Sequence, residues 1–235
     1  RGGLRHKAKP ISGQSLGTAK ELNQYLRKNN QVSDLKLGEL HLFKDMEACH
    51  LLVTGGTGSG KTNCFHHLLP QIRDRKQPAI IVDTTGVFLE RYYRPGKDII
   101  LDPFHDQSQS WHPWAECKDK NDYNEIAQSF LPESYREEEN FWRKSGKTVF
   151  ATLLEKMESF QKTSMLTEAI LRYPLNRLCE LVEGTKAASV LDISSERTAS
   201  SIRSVAASYL ESLEHVKDTD TPFSIRDWMA NPGDS

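Results

Sequence analysis

The spacing of apolar residues changes character along this chain. In the first half they come as short β-branched runs between turn residues. His50-Leu51-Leu52-Val53-Thr54, Ala79-Ile80-Ile81-Val82-Asp83 and Asp98-Ile99-Ile100-Leu101-Asp102-Pro103 are such runs, and each predicts a strand. Between the first two, Phe65, Leu68, Leu69 and Ile72 recur at spacings of three and four and predict a helix over 63–72. Strands buried on both faces and separated by helical pieces predict a doubly wound α/β sheet. Ahead of them, Thr18-x-x-Glu21 reads as a capping box for a short helix carrying Leu22, Tyr25 and Leu26 and ending near Asn29-Asn30. Leu35-Lys36-Leu37, a turn at Gly38 and a return over Leu40 to Phe43 read either as a small β-pair or as an irregular lead-in. Phe88 to Tyr93 predicts a short helix stopped by Pro95-Gly96.

From about Asn121 the β-branched runs give way to helical periodicity. Tyr123, Ile126, Ala127 and Phe130 make one stripe, and Phe141 to Phe160 carry the next. Ser164 can cap a helix through Tyr173, Pro174 can begin another, and Gly184 can end it. Ala199, Ile202, Val205, Ala206, Tyr209, Leu210 and Leu213 form the cleanest stripe. These apolar faces predict an all-α insertion of about five helices over 121–220, with 1–120 as the first part of the α/β domain and 221–235 as a return to it. Residues 1–17 read as a basic, loop-like lead-in.

The chemistry concentrates in Gly55-Gly56-Thr57-Gly58-Ser59-Gly60-Lys61-Thr62, which fits the phosphate-binding pattern G-x-x-x-x-G-K-[ST]. Glycines let the backbone bend sharply and come close to a ligand, so that successive N–H groups face phosphate oxygens. Lys61 supplies a compact positive charge for the β- and γ-phosphates. The Thr62 hydroxyl can take one place around Mg²⁺, a cation that keeps few protein ligands. A strand before the loop and a helix after it are the context this motif requires. Asp83 ends the second strand at the edge where ligands bind in open α/β sheets. It can order Mg²⁺ or a water, or it can cap the turn Thr84-Thr85-Gly86. Ser145-Gly146-Lys147-Thr148 repeats Gly-Lys-Thr, but Phe141 stands where a second loop needs glycine, and the segment reads as helix.

Composition narrows the classes. The 235 residues are 37% apolar and 27% charged, with a net charge of −1, ordinary for a soluble globular chain. A bare basic nucleic-acid module would be more positive. Cys49, Cys64, Cys117 and Cys179 form no C-x-x-C and no zinc spacing with histidine. A reducing setting fits better than a disulfide framework. No apolar run approaches the ~18 residues of a membrane span. The chain starts at Arg1 without Met and reads as a fragment.

Taken together, these segments resemble the type IV coupling proteins, the conjugation and secretion ATPases of bacteria, and among them the TraD group. The likeness rests on Ser33 to Gly38, Gly55 to Thr62, Ala79 to Phe88, Tyr92 to Pro95, Asp98 to Phe104, Trp111, Trp114 to Cys117, Phe141-Trp142, Thr198-Ala199-x-x-Ile202-Arg203 and Pro222 to Met229. It runs from about residue 12 to the end. The resemblance implies a RecA-like phosphate-loop ATPase domain with an inserted all-α domain, acting as a hexamer with ATP and Mg²⁺. It also implies an anchor, absent from this chain, at the cytoplasmic face of the bacterial inner membrane. DNA, relaxosome or effector proteins and type IV secretion channel components are the partners it implies. Where the family commonly has an acidic residue after the glycine that follows Asp83, this chain has Val87. The acidic pair that positions water in such motors has no counterpart here, and the sequence does not say which arginine could complete the site from a neighbouring subunit. A DNA translocase of the chromosome-segregation type, a small-molecule kinase and a nucleotide-regulated recruiting platform are the competing readings. Arg172, Arg177, Lys186, Arg197 and Arg203 are candidate phosphate contacts on the helical part, or a solvated helix face.

Overall fold

The computed structural model describes residues 17–45 and 49–233; the basic lead-in predicted over 1–17 lies almost wholly outside them. The described residues divide into two compact units, one ending at Thr85 and the other beginning at Gly86.

In the first unit, α1 (Ala19–Lys28) begins with the expected capping box. The Thr18 hydroxyl accepts from the Glu21 N–H, and the Glu21 carboxylate accepts from the Thr18 N–H. β1 (Val32–Leu37) and β2 (Leu40–Phe43) form an antiparallel pair with Leu37 opposite Leu40 and Lys36 opposite His41. Carboxamides from flanking helices satisfy backbone groups on both strands. Asn23 of α1 accepts from the His41 N–H at 3.1 Å and donates to the Glu39 carbonyl at 2.7 Å. Gln71 of α2 (Lys61–Asp74) does the same for Lys36, accepting from its N–H at 3.0 Å and donating to its carbonyl at 2.9 Å. A bare strand edge invites pairing with another chain, and these side chains blunt it. Arg75 clamps the same corner through both oxygens of Asp34. That hydrogen-bonded guanidinium holds the Asp34 carboxyl at about 2. Leu26, Leu35 and Leu68 are buried between these pieces.

The three predicted central strands are not realised as a ladder among the described residues. Residues 51–54, 79–83 and 99–102 belong to no strand, and the sheet found has only β1 and β2. Leu52 and Val82 are 85% and 86% exposed, where burial on both faces was expected. Their backbone groups meet no neighbouring strand. In the third run, carbonyl and N–H groups turn back on the chain: Gln109 donates to the Ile100 carbonyl at 2.8 Å, and Asp102 donates to Ser108 Oγ at 2.9 Å.

The second unit holds α3 (Val87–Tyr92), a 3-10 turn over Pro113–Glu116, α4 (Asp122–Phe130), α5 (Glu137–Lys156), α6 (Thr163–Leu171), α7 (Leu175–Leu181), α8 (Glu196–Leu210) and α9 (Ile225–Ala230). Much of the predicted stripes lies in its core: Ala127, Phe150, Leu154, Leu178, Ala199, Ile202, Ala206 and Leu210 are all at most 1% exposed, joined by Leu166 and Ile170, whereas Phe141 and Phe160 at the two ends of the second stripe are 53% and 57% exposed. Gly146 lies where α5 crosses α8. A Cβ there would meet Leu131 Cδ2 at 3.0 Å and Ala206 Cβ at 3.5 Å. The second Gly-Lys-Thr is thus a helix-packing site; Lys147 turns to Gln128, and Thr148 donates to the Lys144 carbonyl. Ser164 is not the cap of α6. It lies inside the first turn, where Asp218, 54 residues later, accepts from its N–H at 3.1 Å.

Candidate phosphate-binding site and basic helical face

The loop between Val53 and α2 owes its path to two left-handed residues, Gly58 (φ 77°) and Gly60 (φ 89°). A side chain at either position would be strained. Gly60 is the N-cap of α2 and offers no capping side chain. The first N–H groups of a helix have no intrahelical acceptor, and they sit at the positive end of the helix dipole. An anion is the natural partner for such an end. Gly55 is constrained by its neighbour, since a Cβ there would fall 2.4 Å from Ser59 Oγ.

Lys61 opens α2, and its ammonium folds back over the loop, donating to the carbonyls of Gly55 and Gly56 at 2.8 Å each. An ammonium has three N–H donors, so one remains for a phosphate oxygen. Thr57 and Ser59 are exposed on the same loop, and Thr62 is exposed on the first turn of α2. Asp83 Oδ1 accepts from the Thr85 N–H and from the Thr85 hydroxyl, both at 3.2 Å. This is the turn-capping arrangement that stood as one of its two sequence readings.

The five candidate phosphate contacts separate in the second unit. Arg203 is committed to structure: its guanidinium donates to the α6 carbonyls of Ile170 and Leu171 at 2.7 and 2.8 Å. Arg172 pairs with Glu214. Arg177 lies over the ring of Tyr173, its guanidinium carbon 3.7 Å from the centroid. Lys186 starts a 3-10 turn. Arg197 borders an open groove on α8 shared with Glu196, Ser200, Ser201 and Ser204.

Sequence reasoning missed a polar cluster near the start of this unit. Glu116, only 8% exposed, accepts from Trp111 Nε1 at 2.9 Å and from the N–H groups of Ile225 and Arg226 at 2.7 and 2.9 Å. Asp122 receives the Arg226 guanidinium at 2.9 Å and the Lys118 N–H at 2.6 Å. Ile225 and Arg226 lie more than a hundred residues from the carboxylates they meet, so no local spacing marks that junction.

A glycine loop on a helix N-terminus, joined in one chain to a helical unit with its own core, is the architecture of a phosphate-loop protein carrying a separate helical module. Among known proteins, the family model described as the type IV secretion-system coupling protein DNA-binding domain matches residues 34–235, and the chain belongs to that family. The coupling protein TraD of Escherichia coli (strain K12) is 30% identical over 215 residues, covering 89% of this chain and 30% of that protein. The unbound monoclinic form of the bacterial conjugative coupling protein TrwBdeltaN70 superposes with a TM-score of 0.83 at 24% identity, covering 96% of this chain and 55% of that one. The plasmid coupling protein TrwB in complex with ADP and Mg²⁺ gives a TM-score of 0.78 at 26% identity, over 89% of this chain and 51% of that one. The fold is therefore the RecA-like α/β class with a helical domain that the sequence implied. The chain spans about half the length of these solved structures and 30% of TraD.

Proposed function

We propose that this chain is the nucleotide-gripping and substrate-contacting part of a coupling-protein motor. Such a motor would bring DNA–protein complexes or protein substrates to a bacterial type IV secretion channel and drive their transfer by ATP hydrolysis. The observation that carries this reading is the loop itself: left-handed Gly58 and Gly60 lead into an uncapped helix end with the Lys61 ammonium folded over it. Gly55 to Thr62 would hold the triphosphate through backbone N–H groups, and Lys61 would move from the loop carbonyls onto the β- and γ-phosphates. The TrwB structures include one with a non-hydrolysable ATP analogue and one with ADP and Mg²⁺, which supports the same ligands here.

The residues present fit Mg²⁺. Among the described residues no three His, Cys, Asp or Glu side chains converge into a metal cage, and Mg²⁺ prefers one or two protein oxygens together with substrate phosphates and water. Thr62 would supply its hydroxyl, and Asp83 would orient the ion or a water once released from Thr85. Bound there, the ion would offset charge developing on the γ-phosphate.

The functional division follows the sequence: 1–120 and 221–235 belong to the nucleotide domain, and 121–220 is the inserted substrate-contacting part. The Glu116 contacts to Ile225 and Arg226 support it, because they bring the entry and exit of the helical part together. Assembly as a hexamer, and attachment at the cytoplasmic face of the inner membrane by a segment outside this chain, complete the reading. None of the described helices is long and apolar enough to cross a membrane. Titration calorimetry with ATP and Mg²⁺ tests the core of it. Heat from the native chain and none from Lys61→Ala is the expected result. Silence of the native, folded chain toward every nucleoside triphosphate would overturn it.

A further inference from the structure

We propose that the corner between α6 and α7, built from Tyr173, Arg177 and Arg172, grips single-stranded DNA. This rests on the reading of the helical unit as a DNA-contacting surface and says which part of it makes the contact. The C-terminal end of a helix is electronegative and repels phosphate. At this corner that end is covered, because Arg203 donates to the carbonyls of Ile170 and Leu171, the last two residues of α6. Arg172 and Tyr173 follow directly. Arg172 is exposed, and Glu214 takes up part of its charge.

Arg177 is the informative group. It is exposed and makes no ion pair or side-chain hydrogen bond among the described residues. Glu180 stands three positions later on α7, the spacing at which a surface arginine ordinarily finds a carboxylate. The guanidinium instead lies flat on Tyr173, with 3.7 Å from its carbon to the ring centroid. Stacking fixes its plane, so less freedom is lost when a ligand binds. One face is taken by the tyrosine; the opposite face and the forked N–H edge are available. A face of that kind stacks a nucleobase, and the edge fits a phosphate oxygen pair. Bases in a duplex are already stacked on each other and cannot use the face, so the arrangement selects an unpaired strand.

Fluorescence anisotropy of the whole chain at low salt, with labelled oligo-dT and a duplex of equal length, tests this. Arg177→Ala should weaken oligo-dT binding about ten-fold and duplex binding by less than about two-fold. Arg177→Lys keeps the charge and loses the plane, so it should fall with the alanine variant, as should Tyr173→Leu. Unchanged oligo-dT binding in Arg177→Ala, full rescue by lysine, or an equal loss on duplex would each overturn the proposal while leaving DNA contact standing. If the native chain binds neither oligonucleotide, the DNA-contact reading falls as well. Circular dichroism of each variant identifies any loss that comes from unfolding.

Discussion

The Glu116 carboxylate accepts the backbone N–H groups of Ile225 and Arg226, residues that follow it by 109 and 110 positions. With Trp111 Nε1 as a third donor, the side chain ties the segment entering the helical core to α9, the helix that follows it. Removing the carboxylate leaves three donors unpaired in a site that is 8% exposed. Glu116→Ala should cost about 2–4 kcal/mol. Glu116→Gln, which keeps one acceptor oxygen, should cost less. Urea unfolding followed by tryptophan fluorescence measures both.

Asp122 adds an acid limb to the same junction. The Lys118 N–H and then the Arg226 guanidinium hold its carboxyl below the usual aspartate value of 3.8. A carboxyl lowered in the fold stabilises above its unfolded value and loses that contribution as pH falls through its folded one. Thermal melts below pH 4 should therefore be shallower in their pH dependence for Asp122→Asn than for the native chain.

His112 adds a second loss on acidification, nearer neutrality. Burial pushes its pKa below 6.5, and its Nδ1 accepts from the Ala115 N–H at 3.1 Å, so the imidazole is neutral in the fold. The unfolded chain then binds the extra proton first, so stability is present above pH 6.5 and declines as pH drops below it. In His112→Asn, which retains an acceptor for the cap, the slope between pH 6.5 and 5.5 should flatten. Melting temperatures across that range read it directly.

Gly146 is set by the approach of α5 to α8. Gly146→Leu drives a side chain into Leu131 and Ala206 and should destabilise by about 1–3 kcal/mol. Chemical denaturation of the variant checks this. Nucleotide affinity should be unchanged, since the loop belongs to the other unit.

At the loop, Thr62→Val removes the hydroxyl and keeps the shape. Its affinity for ATP in EDTA should match the native value, while the gain on adding Mg²⁺ should shrink by about ten-fold, the 1.4 kcal/mol of one lost ligand. Calorimetry with and without the ion separates the two terms.

Much of this was legible along the chain because the signals are local. A glycine loop ahead of a periodic segment, a Thr-x-x-Glu cap and stripes at helical spacing all involve residues within one or two turns of each other. They gave α1, α2 and much of the helical core. Ser164 shows where that stops, since it resembles a cap, while the acceptor for its N–H is Asp218, a residue brought there by the fold. The β-branched runs at 79–83 and 98–103 show the same limit. Their composition states a preference for a paired, covered backbone, but pairing depends on what lies alongside.

The sequence by itself therefore determined the glycine pattern of the loop and the period of the helices, because each depends on neighbours a few bonds away. Tertiary structure alone decided that Glu116 and Asp122 hold the two ends of the helical core together. It alone turned Arg203 into a helix cap and laid Arg177 on the ring of Tyr173. These assignments depend on which distant groups compete for each charge, and only the packed chain brings those competitors within hydrogen-bonding reach.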